Sequence, residues 1–412
     1  MTLNNTYKPY LVYISSAYNN TIGGGVGYGS RLFDATQQHG RKGESNIEFF
    51  FENNTKTEAK FNKTIEKVKR IVTGKANYYI KSRRSLLEQT PSEKFHIKFI
   101  DRPPKIIHCH SSKDVLRIRN WNTKNNLNIK IIFTVHNPIN PFLEYKERLS
   151  KKIITKYGIK TFNKACDIEK DIHNNAIKFC DGFTFPCEPA IEGLKKTWKE
   201  FACLISAKPV QYFLTGANTR KPTKTAGEIK RNLQLNKSDI IICFAGRHTK
   251  VKGYDLLKQA AIKILDAEKQ VFFIILGEEK PLTGLKHHQW IEVGWCSDVA
   301  NYLQIADLIV APNRETYFDL GIIEYMSQGK AIITTNTGGN KIFRNMTSGI
   351  ILIEPEAEQL LNAIRQLKTD SKTLHKMGVD NKNMYLKHFT LEQFAEGFQN
   401  VVNNFLEDIN TR

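Results

Sequence analysis

Short, mainly apolar runs alternate along this chain with longer stretches of helical periodicity. In the first half, Tyr10 to Ile14, Ile106 to His108, Lys130 to Val135, Gly182 to Phe185 and Gln211 to Leu214 lack the polar/apolar alternation of a half-exposed strand. They predict strands covered on both faces, which means a mainly parallel sheet between helices. The second half repeats the pattern with Ile240 to Phe244, Val271 to Leu276, Ile291 to Val293, Leu308 to Val310, Ala331 to Thr334 and Ile350 to Leu352. Between the halves, Thr215 to Thr225 is polar, carries Gly and Pro, has no period, and reads as a linker. Two doubly wound α/β domains follow, 1–215 and 216–388. In the remaining segment, 389–412, Leu391, Phe394, Phe398, Val401, Val402 and Phe405 share one helical face that needs a docking surface.

Composition narrows the class. A chain of 412 residues with 41% hydrophobic content suits two domains, each able to bury a core. Seven scattered cysteines without a C-x-x-C pair argue against a disulfide framework or a structural zinc, and a reducing cytoplasm is the simplest home. No apolar stretch is long enough to span a membrane or serve as a signal peptide. The charge is uneven: of a formal net +20, the segment from Lys56 to Lys130 carries 19 basic residues against six acids, or 19 − 6 = +13. Such a surface attracts phosphate-rich partners, either anionic lipid or nucleic acid. Within it, Phe61, Ile65, Val68 and Val72 recur at helical spacing with lysines between them. That stripe suits a helix lying on an anionic membrane or, equally, one packed on the core with its charges solvated.

The richest stretch is Asp307 to Thr334, a strand, a polar loop, a helix bearing Glu324, a glycine stop and another strand. Loops leaving the carboxyl ends of parallel strands are where such domains bind ligands, and a helix opening there presents free N–H groups to an anion. Gly246 to Gly253 also follows a strand and precedes a helix; Arg247 and Lys252 would set two cations beside its N-terminus, suited to a diphosphate. A solvated basic loop is the other reading. The run Gly23 to Gly29 follows the first strand and is either a phosphate loop or an ordinary surface turn. His136, where a strand ends, could bond a sugar hydroxyl or a phosphate, or be purely structural. His108 and His110 are expected to face opposite sides of their strand and not to share a metal.

Taken together, these pieces resemble the retaining glycosyltransferases of family 4. The glycine run, Ile107 to His110, Thr134 to His136, Asp181 to Pro186, Gly246-Arg247 with Lys252-Gly253, Val293 to Trp295, Ala306-Asp307, Gly321 to Glu324 and Gly338-Gly339 all occur in that family's order. The resemblance implies a GT-B fold, two facing Rossmann-like domains with an interdomain cleft, and a final helix that crosses back to the N-terminal domain. It further implies that Arg247 and Lys252 bind the donor's diphosphate and that Glu324 holds the ribose. His136 would lie beside the donor sugar, and Gly24 and Gly25 would reach the phosphates through their N–H groups. Trp295, Thr316 and Leu320 complete the expected donor site. The donor would be a nucleotide diphosphate sugar, with UDP favoured, and no metal or other cofactor is expected.

One departure stands out. Where the family usually has a second Glu, eight positions before the ribose-binding one, this chain has Thr316, with Glu315 beside it and Asp319 where a Gly is common. Either Glu315 shifts in, or Asp319 takes over the sugar contact, or catalysis is weakened. The expected reaction is sugar transfer to a hydroxyl with retention, the acceptor being lipid-linked or an anionic glycan in bacterial surface polysaccharide or glycolipid assembly. The expected location is cytoplasmic, with the inner face of the plasma membrane a candidate surface for the Lys56–Lys130 region. A non-catalytic partner subunit, a nucleic acid glucosyltransferase and a sugar-nucleotide epimerase are the rival readings; nucleic acid is not the expected partner.

Overall fold

Tyr10-Leu-Val-Tyr-Ile14 offers no polar side chain to water, so it is stable as a strand only if both faces are covered, and all five residues are buried. In the computed structural model, which describes residues 7–19, 24–40, 46–52, 74–368 and 370–410, it is β1 (Tyr10–Ile14). The same sheet contains β2 (Ile47–Phe51), β3 (Ile106–Cys109), β4 (Lys130–Phe133), β5 (Gly182–Phe185) and β6 (Val210–Tyr212), in the order β2-β1-β3-β4-β5-β6 and parallel throughout. This sheet belongs to a unit made of Met1–Phe185, Gly193–Phe213 and Ala395–Arg412.

A second unit, Pro186–Glu192 with Leu214–Phe394, holds β7 (Ile240–Ala245), β8 (Val271–Leu276), β9 (Trp290–Gly294), β10 (Leu308–Ala311), β11 (Ala331–Thr335) and β12 (Ile350–Ile353). Their order is β12-β11-β10-β7-β8-β9, again all parallel. After β7 the chain winds one way through β8 and β9; it then returns to the other side of β7 and winds the opposite way through β10, β11 and β12. The reversal falls between β7 and β10. A crevice opens at such a reversal because the two neighbouring loops leave the sheet toward opposite faces. In the first sheet the corresponding point lies between β1 and β3.

Several expectations need correcting. The glycines from Gly24 to Gly29 sit in the first turns of a helix, Gly24–His39, and not in a loop. A Cβ on Gly25 would run into the backbone carbonyl of His110, so glycine here serves the close approach of helix to strand end, which offsets its poor helix propensity. β2 went unread because the aromatic run Phe49 to Phe51 is short and lies between polar segments. The linker is only half as open as its polarity implies: residues 218–225 are exposed, but Thr215 and Ala217 are buried. Ala217 donates its N–H to the Phe389 carbonyl at 3.0 Å and accepts from the Tyr385 hydroxyl at 2.7 Å. The basic stripe from Phe61 to Val72 lies outside the described residues.

The helix Leu391–Asn410 buries all six residues of its apolar face. Phe398 packs edge-on to Tyr10 of β1 at 5.9 Å between ring centroids and lies 5.5 Å from Phe213. Phe405 reaches the space above Gly182 at the start of β5. Truncating Phe398 would leave a cavity at a fully buried site, at about 3 to 5 kcal/mol. Phe398→Ala is therefore expected to lower the unfolding midpoint of the first unit by several degrees in a calorimetric scan, leaving the second unit's transition in place.

Candidate functional site

Two loops meet at the reversal point of the second sheet. The first leaves β7 at Gly246 and enters the helix Tyr254–Leu265. It is tied within itself: the Thr249 N–H bonds the Arg247 carbonyl at 2.8 Å and the Gly253 N–H the Lys250 carbonyl at 2.9 Å. Gly253 has φ 65°, and any Cβ there would strike the Pro312 carbonyl. Only glycine allows this turn and this contact at once. The second loop leaves β10 at Pro312 and ends at Asp319, N-cap of the helix Leu320–Ser327. Arg314 stitches the two, its N–H on the Val251 carbonyl at 2.9 Å and its guanidinium on Asp255 at 2.7 Å.

Asp319 is the hub. One carboxylate oxygen accepts from Lys252 Nζ at 2.7 Å and from Asn313 Nδ2 at 2.6 Å; the other accepts from the Gly321 N–H at 3.1 Å. Burial pushes this carboxyl up, but Lys252, with the donors Asn313 and Gly321, outweighs that and leaves it below the ordinary carboxylate range. Lys252 and Asp319 are thus one ion pair, and a cation poised for an external anion is held by an internal one.

The other expected residues fall around this hub without touching it. Arg247 is exposed on the first loop. Glu324 stands on the helix that Asp319 caps, with Arg220 Nη2 at 3.9 Å from its carboxylate. Leu320 opens that helix and is half-buried. Thr316 is buried and its hydroxyl has no hydrogen-bond partner, whereas Glu315 is exposed. Trp295 follows β9, the edge strand, and is 78% exposed. Asn313 and Arg220 escaped the sequence reading. Asn313 sits in a loop already recognised, but its role depends on Asp319, and Arg220 lies in what reads as linker.

In the first unit, His136 stands just past β4 and bonds His110 through its Nε2, 3.0 Å from His110 Nδ1. His108 and His110 were expected on opposite faces of their strand, yet their rings lie 4.3 Å apart on one side. Residues two apart on a strand share a face, so the expectation misapplied the strand period. His108 Nε2 bonds Thr134 at 2.8 Å, and Thr134 bonds Thr184 in turn. Burial holds His110 down to about 3 and likewise depresses His108 and His136, so all three are neutral at pH 7. Gly24 and Gly25 open the neighbouring helix, whose first N–H groups have no intrahelical partner. Among the described residues no group of three or more His, Cys, Asp or Glu is arranged to hold a metal, and no helix is long and apolar enough to cross a membrane.

The chain is similar to several known glycosyltransferases. Residues 226–384 match the family model of glycosyl transferases group 1. The chain is 23% identical over 199 residues to a lipopolysaccharide 1,2-N-acetylglucosaminetransferase of Salmonella typhimurium, covering 43% of this chain and 52% of that one. It is 24% identical over 178 residues to a D-inositol 3-phosphate glycosyltransferase of Thermobifida fusca, covering 37% and 39%. The chain therefore spans about half or less of the length of these curated relatives. Among solved structures it is similar to a sucrose-phosphate synthase from Thermosynechococcus elongatus, with TM-score 0.63, 15% identity, and 97% and 99% of the two chains covered. It is also similar to a glycosyltransferase from Rickettsia africae, with TM-score 0.59, 16% identity, and 97% and 99% covered. At these identities the likeness is one of fold: two parallel six-stranded sheets with surrounding helices, as in GT-B glycosyltransferases.

The depressed carboxyl of Asp319 has a definite consequence for stability. Because its folded pKa lies below its unfolded one, the stabilisation it gives is complete above the unfolded value, about 4, and is lost as pH falls through the folded value. Asp319→Asn keeps the cap and loses the ion pair. It is expected to cost about 2 kcal/mol near pH 7, with the gap from wild type closing below about pH 4, as read by denaturant melts across pH.

Proposed function

We propose that this chain is a retaining glycosyltransferase of family 4, moving a sugar from a nucleotide diphosphate donor, UDP-sugar favoured, to a hydroxyl acceptor in bacterial surface polysaccharide or glycolipid assembly. The observation that carries the reading is the pairing of Lys252 with Asp319 at the reversal point between β7 and β10, with Glu324 on the helix that follows. In this reading the donor's diphosphate takes the place of Asp319 as the partner of Lys252, with Arg247 alongside. Glu324 accepts the ribose hydroxyls, and Asp319, once released, faces the sugar. The bond from the anomeric carbon to the diphosphate breaks as a bond to the acceptor oxygen forms on the same face, and the hydroxyl proton goes to the departing phosphate. Charge building on that phosphate is met by Lys252 and Arg247, so the chain's own cations carry the stabilisation that a metal would otherwise supply. The neutral His136, steadied by His110, is suited to bond a sugar hydroxyl.

The names of the relatives support sugar transfer; the Salmonella protein's name speaks of lipopolysaccharide, and another similar structure, HepE of Anabaena, was solved with UDP and glucose at 12% identity. A second reading, a donor-binding subunit without turnover, is favoured by Thr316, whose unpartnered hydroxyl stands where a carboxylate is usual.

The test is a thermal-shift screen with UDP-, GDP-, ADP- and dTDP-sugars, followed by assay of nucleotide release. One donor is expected to stabilise the wild type, by about 2.7 kcal/mol at a hundred times its dissociation constant. Glu324→Ala should weaken that donor about tenfold or more, and Lys252→Ala should lower kcat about a hundredfold. Stabilisation without nucleotide release under any acceptor would favour the subunit reading; indifference to every donor would remove the donor site.

A further inference from the structure

The loop after β7 is held from two sides. On the side of β10, Asp319 takes Lys252, and Arg314 ties the far limb at Val251 and Asp255. The near limb, which carries Arg247, is held from the side of β8 and β9. His248 is fully buried there, and its ring lies flat on that of Tyr254, with 4.0 Å between centroids and 6° between planes. Tyr254 opens the helix that ends the loop, so the stack joins the two limbs across Lys252.

Glu292 of β9 secures the stack. One carboxylate oxygen accepts from the Tyr254 hydroxyl at 2.5 Å and from the Trp290 indole N–H at 2.7 Å; the other lies 3.8 Å from His248 Nε2. The Leu282 N–H reaches the His248 carbonyl at 3.1 Å, and a Cβ on Gly284 would strike Glu292, so the chain after β8 closes over the group. Burial holds the imidazole below its ordinary value despite Glu292 and Glu279, so it packs as a neutral ring at pH 7. The second oxygen of Glu292 is buried without a hydrogen bond, a cost to stability that an apolar residue would not carry. In return the carboxylate gives Tyr254 one orientation, and the stack passes it to His248 and, through the backbone, to Arg247.

In the transferase reading the donor takes Lys252 away from Asp319. The loop then loses a hold at the moment it must place two cations on a diphosphate. Resting on that reading, we propose that His248, Tyr254 and Glu292 are positioning residues, a clamp that keeps Arg247 and Lys252 at one spacing while Asp319 lets go. Asp319 sets where the two loops stand relative to each other, and the clamp keeps the first loop's own shape.

The test reads the clamp with and without a nucleotide. Hydrogen exchange is followed at the amides of Thr249, Lys252, Gly253 and Tyr254, whose partners lie within the loop, with β7 amides as the reference for global opening. Tyr254→Phe keeps the stack and removes the hydroxyl bond. Asp319→Asn alone should leave the loop amides near wild-type exchange, and adding Tyr254→Phe should speed them about tenfold or more. Affinity for UDP and for GDP is then measured by calorimetry. The nucleotide that binds should lose about fivefold in Tyr254→Phe, and less in a Lys252→Ala background, because the loss acts through Lys252. His248→Phe, which keeps a ring on Tyr254, should bind more tightly than His248→Ala. Loop amides freed by Asp319→Asn alone, or unmoved in the double variant, would overturn the clamp, as would an equal loss of affinity with and without Lys252. A wild type that binds neither nucleotide yet shows the exchange pattern keeps the clamp and loses the donor reading.

Discussion

A single carboxylate, Asp319, ties the loop after β7 to the loop after β10 and caps the helix between β10 and β11. The arrangement of both loops in the second unit depends on it. Two strands that diverge at a reversal point leave their loops free to drift apart; the ion pair to Lys252 and the bond from Asn313 hold them in register, and the glycine at 253 lets their backbones touch. A lysine held by an internal acid is preorganised and desolvated in part, so an incoming anion meets an oriented charge but must compete for it.

The two sheets share one architecture and differ in what stands at their reversal points. In the second unit the loops carry Lys252, Arg247 and Asp319. In the first, neutral histidines line the ends of β3 and β4. In the proposed reaction the cations of the second unit would meet charge developing on the leaving group, and the histidines of the first would orient hydroxyls.

Most of the fold is legible in the sequence because its strands are short, largely apolar runs, and eleven of the twelve can be placed from that pattern, although β6 and β9 carry Gln211 and Glu292 and are only partly covered. β2 is the exception, a short aromatic run between polar segments whose residues are mostly half-buried. The helix beginning at Gly24 is illegible for another reason: a glycine run signals a turn unless one knows that the His110 carbonyl lies against it. In the site, Lys252 can be placed on its loop and Glu324 on its helix from local pattern alone. The bond from Lys252 to Asp319 spans 67 residues of sequence and follows only from the strand order. Thr316 shows the same limit, since its position in the motif is readable but the unsatisfied state of its hydroxyl is a property of packing.

The most direct test of the central claim is a crystal structure of the chain with the nucleoside diphosphate that stabilises it most. The account predicts the diphosphate on Lys252 and Arg247, the ribose on Glu324, and the Lys252–Asp319 bond broken or shared. A nucleotide bound elsewhere, with Lys252 still on Asp319 alone, would contradict it.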